Sequence, residues 1–204
     1  MLRVGLTGGI ACGKSTVGQM LRQRGAHYLS ADELAHQLYA PGATAYEGVV
    51  RAFGGEILNH DGTIDRKKLA GLAFPNRIEE LNAIVHPAVV RSQNKWMSDI
   101  EHDDPNGIAV VEAALLLEAG AKKDFDRVIV VTCDAACKAR RYAHRTGLPL
   151  ESARAEVERR SAAQFSDEEK ARRADYVIEN SGNIGELEPK VEQLWAQLRA
   201  CLRT

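Results

Sequence analysis

Continuous apolar runs, rather than alternating ones, mark out the strands of this chain. Val4-Gly5-Leu6-Thr7, following Leu2-Arg3, reads as a short buried strand that ends in a glycine turn. Ile108 to Val111 and Val128 to Val131 are mostly β-branched. That composition suits parallel strands covered on both faces. His27 to Ser30 and Tyr176 to Ile178 read as two further short strands. Elsewhere the apolar period lengthens to that of a helix. One helix is expected from near Lys14, because Val17, Met20 and Leu21 share a face. From Asp32 to about Glu101 the pattern is mainly helical, interrupted at Pro41-Gly42, Gly54-Gly55, Asp61-Gly62 and Pro75, with its longest stretch over 76–100. A polar loop over 102–107 follows. Asp134 caps an Arg-rich helix, Gly147-Leu148-Pro149 breaks it, and a second charged helix runs from Leu150 to Ala163. An amphipathic helix spans Ile184 to Leu202, with Leu187, Val191, Leu194, Trp195 and Leu198 on its apolar side. Strands alternating with helices predict an α/β fold with about five parallel strands and helices on both faces.

Composition narrows the class. The 204 residues are 45% hydrophobic and 27% charged, so the chain reads as globular, with room for one domain and an inserted sub-region or small lid. A net charge of −1 gives no general attraction to nucleic acid or an acidic membrane. No apolar run approaches the roughly 20 residues that span a bilayer, and the N-terminus lacks a signal-peptide layout, so a cytoplasmic protein is expected. Cys12, Cys133, Cys137 and Cys201 form no C-x-x-C pair. Incidental thiols are a better reading than disulfides, or than zinc at Cys133, Cys137 and His144.

Gly8-Gly9-Ile10-Ala11-Cys12-Gly13-Lys14-Ser15 matches G-x-x-x-x-G-K-[ST] between a predicted strand and a predicted helix. Glycines let the backbone curl so that successive N–H groups point at phosphate oxygens, and the following helix adds its positive end. In such a loop Ala11 to Thr16 hold the nucleotide. Lys14 reaches the β- and γ-phosphates, Ser15 offers its hydroxyl to Mg²⁺, and Thr16 adds a contact near the α-phosphate. Mg-ATP is therefore the expected cofactor. Cys12, at the mouth of the helix, is a candidate reactive thiol that alkylating reagents should find; an inert small side chain is the other reading.

A phosphate loop does not name an activity. The chain lacks the N-K-x-D of a guanine-specific switch, since Asn94-Lys95-Trp96-Met97 has no Asp. Ile108 to Glu112 is an apolar strand ending in an acid, a loose signal for a motor ATPase that would normally need a longer chain. Lys138, Arg141 and Arg145 lie on one helical face before the Gly-Pro break, and Glu156, Arg160 and Gln164 recur every four residues after it. Such a hairpin is either a lid that closes arginines over a transferring phosphoryl group or a solvated charged face. Asp32, just past the second strand, is either the N-cap of a helix over Glu33 to Tyr39 or the carboxylate that accepts a proton from an alcohol acceptor and helps hold magnesium through water; both roles are compatible. These features favour a small-molecule kinase over a nucleotide-dependent switch.

The sequence resembles dephospho-CoA kinases along nearly its whole length. The resemblance is carried by Val4 to Thr16, Ala31-Asp32, Phe53-Gly54, Asp61-Gly62-Thr63-Ile64-Asp65-Arg66 with Leu69, Phe74, and His86-Pro87. It continues through Leu115 to Glu118, Arg141, Arg145, Arg160, Gln164, and Ala174 to Ile178 with Asn180 and Gly182. The phosphate loop is shared by many families; D-G-x-I-D-R, H-P and the late A-D-x-V-I-x-N-x-G are more specific. The resemblance implies transfer of the ATP γ-phosphoryl group to the ribose 3′-hydroxyl of dephospho-CoA, on a P-loop NTPase three-layer fold. It implies a core over 1–31 and 102–204, a helical substrate region over 32–101 and a lid near 142–166. By the same resemblance Asp32 is the base, Arg66 and His86 lie in the substrate region, and Asn180 and Gly182 lie near adenine. No membrane, nucleic acid or obligate protein partner is expected. Asp65-Arg66 also reads as a helix-start ion pair, and His86-Pro87 as a helix junction. Three positions depart from the family's common pattern: Ser30 where Asp is frequent, Ala114 for Pro, and Lys138 for Gln.

Overall fold

The computed structural model describes residues 1–74 and 76–202, so the predicted break at Pro75 lies outside the described residues. It divides into two units, Met1–Ser30 with Ile100–Thr204, and Ala31–Asp99.

The first unit is built on five strands: β1 (Leu2–Gly8), β2 (His27–Ser30), β3 (Ile108–Glu112), β4 (Arg127–Thr132) and β5 (Tyr176–Glu179). All pair in parallel, in the order β2-β3-β1-β4-β5. All five fall where the apolar runs predict them. Side-chain alternation splits each run between two cores. Ile129 and Val131 join Val4, Leu6 and Val110 against α1 (Lys14–Gln23) and α9 (Ile184–Cys201), which contribute Val17, Leu21, Leu187, Val191 and Leu198. Val128 and Val130 turn the other way, onto Leu116, Leu117, Phe125 and Phe165. Two helices, α6 (Ala135–Thr146) and α7 (Leu150–Ser161), form the charged hairpin, with Gly147 closing α6 in the left-handed conformation. Asp134 caps α6 as expected, accepting from the Cys137 amide at 2.6 Å. A short helix unseen in the sequence pattern, α8 (Asp167–Arg173), follows the hairpin.

The second unit holds α2 (Ala31–Leu38), α3 (Tyr46–Phe53), α4 (Arg66–Ala73) and most of α5 (Ile78–Asp103). Its own core gathers Leu38, Val49, Phe53, Ile57, Leu69 and Val89. Three local readings change here. The helix α2 begins at Ala31, so Asp32 stands inside its first turn rather than capping it. Asp65 caps α4 through the amides of Lys67 and Lys68, at 2.8 and 3.2 Å, and among the described residues no ion pair joins it to Arg66. Pro87 lies inside one 26-residue helix, so His86-Pro87 is not a junction.

Central β1 sits between β3 and β4, and the chain passes to one side for β2 and β3 and to the other for β4 and β5. An open parallel sheet of this topology has its crevice where the order reverses, at the strands' carboxyl ends. The loop after Gly8 opens there. One packing contact tests this arrangement. Gly18, buried in α1, lies against the Tyr28 ring so closely that a Cβ would overlap Cε2. Alanine normally stabilises an exposed helix interior by about 1 kcal/mol over glycine. Overpacking costs about 1–3 kcal/mol, so Gly18→Ala is expected to lower stability, with the Tm falling rather than rising. A higher Tm would show that Tyr28 gives way freely.

Candidate active site

Backbone geometry makes the loop. Gly8 has φ 151°, and a Cβ there would run into the carbonyl oxygen of Val131. Gly13 has φ 91°, and its Cβ position is filled by the side-chain amide of Asn180. Neither place admits another residue without a shift. Ala11 takes φ 55°, an uncommon conformation for a non-glycine residue. After Gly13 the helix α1 starts with no side-chain cap and no acid in its first turn, leaving its positive end turned to the loop. The Lys14 ammonium folds back onto the carbonyls of Gly8 and Gly9, at 3.2 and 3.0 Å.

One acid serves the loop that the sequence pattern undervalued. Glu112, the last residue of β3, is 6% exposed. Its Oε1 accepts from the Ser15 hydroxyl at 2.9 Å, and its Oε2 from the Tyr28 hydroxyl. Register explains the meeting: Glu112 pairs with Leu6 of β1 and Ser30 of β2, so its side chain emerges beside the loop. The signal was present in the apolar strand ending in an acid. Thr16 is exposed on the first turn of α1.

Arg141 reaches the backbone of the loop itself. Its guanidinium donates to the carbonyls of Asn180 (2.7 Å), Gly182 (3.1 Å) and Cys12 (3.5 Å). Asn180, 5% exposed, donates from Nδ2 to the Cys12 carbonyl at 2.8 Å while its Oδ1 faces Arg141 at 3.4 Å. Arg141 therefore bolts the loop to the segment after β5. Arg145 is exposed, its guanidinium 5.2 Å from the Tyr142 ring centre. Tyr142, Ala153 and Val157 bury the inside of the hairpin against Ile10 and Ala11, so the hairpin packs on the tip of the loop.

Cys12 is fully buried, with its Sγ 3.5 Å from that of Cys133. The Cys133 thiol hydrogen bond draws the Cys12 pKa below its ordinary value against burial, with help from Lys138 and Lys14, while Cys133 is driven upward. Burial runs against the expectation of ready alkylation and favours the inert reading of this side chain.

In the second unit Asp32, Arg66 and His86 are exposed. Burial, and then the Arg66 charge, lower the His36 pKa, opposed by Asp32 and Glu33. Asp32, His36 and Arg66 therefore share one electrostatic neighbourhood. The His36 and Tyr39 rings meet edge to face at 5.7 Å.

Comparison with known proteins gives a consistent picture. The family model described as dephospho-CoA kinase matches residues 2–186. A dephospho-CoA kinase from Aquifex aeolicus is 42% identical over 201 residues, covering 97% of this chain and 98% of the relative. Among solved structures, TT1252 from Thermus thermophilus superposes with a TM-score of 0.78 at 34% identity, covering 97% of both chains. Dephospho-CoA kinase from Campylobacter jejuni gives 0.64 at 25% identity, covering 96% of both.

Two outcomes are expected of this site. Glu112→Ala leaves the Ser15 and Tyr28 hydroxyls without their acceptor and should cost about 1–3 kcal/mol in chemical denaturation; a loss below about 0.5 kcal/mol would show that water replaces the carboxylate freely. Iodoacetamide on the native chain should label Cys201, the one partly exposed cysteine of the four, and leave Cys12 unlabelled by mass spectrometry. Rapid labelling of Cys12 would contradict its burial.

Proposed function

This chain belongs to the dephospho-CoA kinase family, and on that premise we propose how its residues carry the γ-phosphoryl group of ATP to the ribose 3′-hydroxyl of dephospho-CoA, giving CoA and ADP in the last step of coenzyme A synthesis. The observation that carries the reading is the loop over 8–15. It has two glycines that tolerate no side chain, an uncapped helix end, and a lysine held at its rim. These are the parts that bind a triphosphate by backbone amides and a cation.

In this reading the amides of Ala11 to Thr16 hold the phosphates, and Lys14 leaves the carbonyls of Gly8 and Gly9 for the β- and γ-phosphate oxygens. Asn180 and Gly182, fixed by Arg141, line the adenine side. Ser15 and Glu112 present hydroxyl and carboxylate oxygens 2.9 Å apart, a donor set that suits Mg²⁺. Ser15 would ligate the ion directly, and Glu112 through water. The bound ion supplies charge neutralisation on the β- and γ-phosphates. Asp32 aligns the 3′-hydroxyl and accepts its proton as the new P–O bond forms and the bond from the γ-phosphorus to the bridging oxygen breaks, leaving ADP. Arg145, exposed on the hairpin, and Arg141, beside the loop, are the lid arginines that answer charge on the moving phosphoryl group. The hairpin also excludes the water that would otherwise hydrolyse ATP.

Dephospho-CoA carries a diphosphate and needs cations. Exposed Arg66, Lys67 and Lys68 at the start of α4, with His86 on α5, form the proposed acceptor region. The cytoplasm is the proposed compartment; among the described residues no helix is long and apolar enough to cross a membrane.

A coupled ADP-release assay separates this activity from that of other small-molecule kinases. Dephospho-CoA is expected to drive turnover at least about a hundredfold above adenosine, AMP or shikimate, a margin on the scale of recognition by several charged contacts. Equal turnover with another acceptor would reassign the substrate. Asp32→Asn should lower kcat by about 10²–10⁴ while the KM for ATP holds. Near-normal kcat removes Asp32 from the base role.

A further inference from the structure

Asp167, the first residue of α8, sets a carboxylate against the phosphate loop. Its Oδ1 lies 2.8 Å from the point where a Cβ on Gly9 would stand. Only the missing side chain of Gly9 makes room for it. A negative charge there opposes a triphosphate in the loop, because like charges a few ångströms apart repel most where protein has displaced water.

Lys138 of α6 answers that charge. Its Nζ is 2.6 Å from Asp167 Oδ2 and 3.2 Å from the same point over Gly9. The two side chains are 13% and 22% exposed, so solvent screens the pair weakly. From inside the loop, Lys14 holds the Gly9 carbonyl at 3.0 Å. Two cations and one anion thus converge on Gly9, and the balance is positive only while Lys138 is charged.

We propose that Lys138 is a positioning residue for the nucleotide: by neutralising Asp167 beside Gly9 it sets the affinity of the loop for polyphosphate. The pair also ties α6 to α8, the helices on either side of α7, at the level of the loop. This proposal rests on the phosphate-loop reading given above.

Calorimetric titration of ATP, ADP and adenosine against wild type, Lys138→Gln, Asp167→Asn and the double variant tests it. Lys138→Gln should weaken ATP about tenfold, ADP less and adenosine not at all, the ordering that a charge–charge effect imposes. The double variant should return to within about threefold of wild type, since the repelling charge is gone with its partner. Asp167→Asn alone should tighten ATP by about threefold, a gain that local unfolding cannot mimic. Equal weakening of ATP and adenosine, no recovery in the double variant, or no tightening in Asp167→Asn each overturns the proposal. Should wild type bind adenosine as tightly as ATP, the phosphate-loop reading itself fails, and this proposal with it.

Discussion

The side-chain amide of Asn180 stands where a Cβ on Gly13 would be, and donates to the carbonyl of Cys12 at 2.8 Å. The contact joins the loop after β1 to the segment after β5, although 168 residues separate its partners. Arg141 repeats the connection from α6, and its acceptors on both segments fix which way the Asn180 amide points. The loop is therefore held by neutral and cationic donors to the carbonyls of Gly8, Gly9 and Cys12. A loop whose carbonyls are engaged by donors from elsewhere in the protein is held in shape for an anion at its N–H groups.

Charge around that loop is distributed with similar economy. The Glu112 carboxylate is engaged by two hydroxyls, and that of Asp167 by Lys138. Farther out, fully buried Lys170 of α8 meets Glu118 at 3.1 Å and Gln164 at 2.9 Å. Gln164 must turn its carbonyl to that ammonium, because a lysine can only donate. Asp167 and Lys170 of α8 are thus both charged and both paired. The dephospho-CoA kinase reading needs such an arrangement: a hairpin that can approach a nucleotide must be fastened firmly at its base.

The sequence foretold the sheet well because burial on both faces demands continuous β-branched runs, and few other structures ask for them. The phosphate loop was legible for a similar reason, since its glycines answer a backbone requirement. Whatever depended on tertiary contact was not. The helix α8 is Asp-Glu-Glu-Lys-Ala-Arg-Arg, with no apolar period to betray it, and its core contact is an ammonium stem. The spacing of Lys138, Arg141 and Arg145 gave their shared helix face correctly but not the carbonyls or carboxylate facing the first two. Cys12 shows the same limit: position in the chain left a reactive thiol and an inert side chain both open, and only packing beside Cys133 shows that it is buried. Asp32 and Asp65 are alike in kind, yet of the two only Asp65 caps a helix, because α2 starts two residues earlier than the capping signal suggested.

The central claim is that the loop over 8–15 binds a triphosphate through its curled backbone and Lys14. Calorimetric titration of Mg-ATP into wild type and Lys14→Ala tests it most directly. Loss of a charge-assisted contact to the β- and γ-phosphates should weaken binding by on the order of tenfold to a hundredfold. An unchanged dissociation constant in Lys14→Ala, or no magnesium-dependent ATP binding by the wild-type protein, contradicts the account.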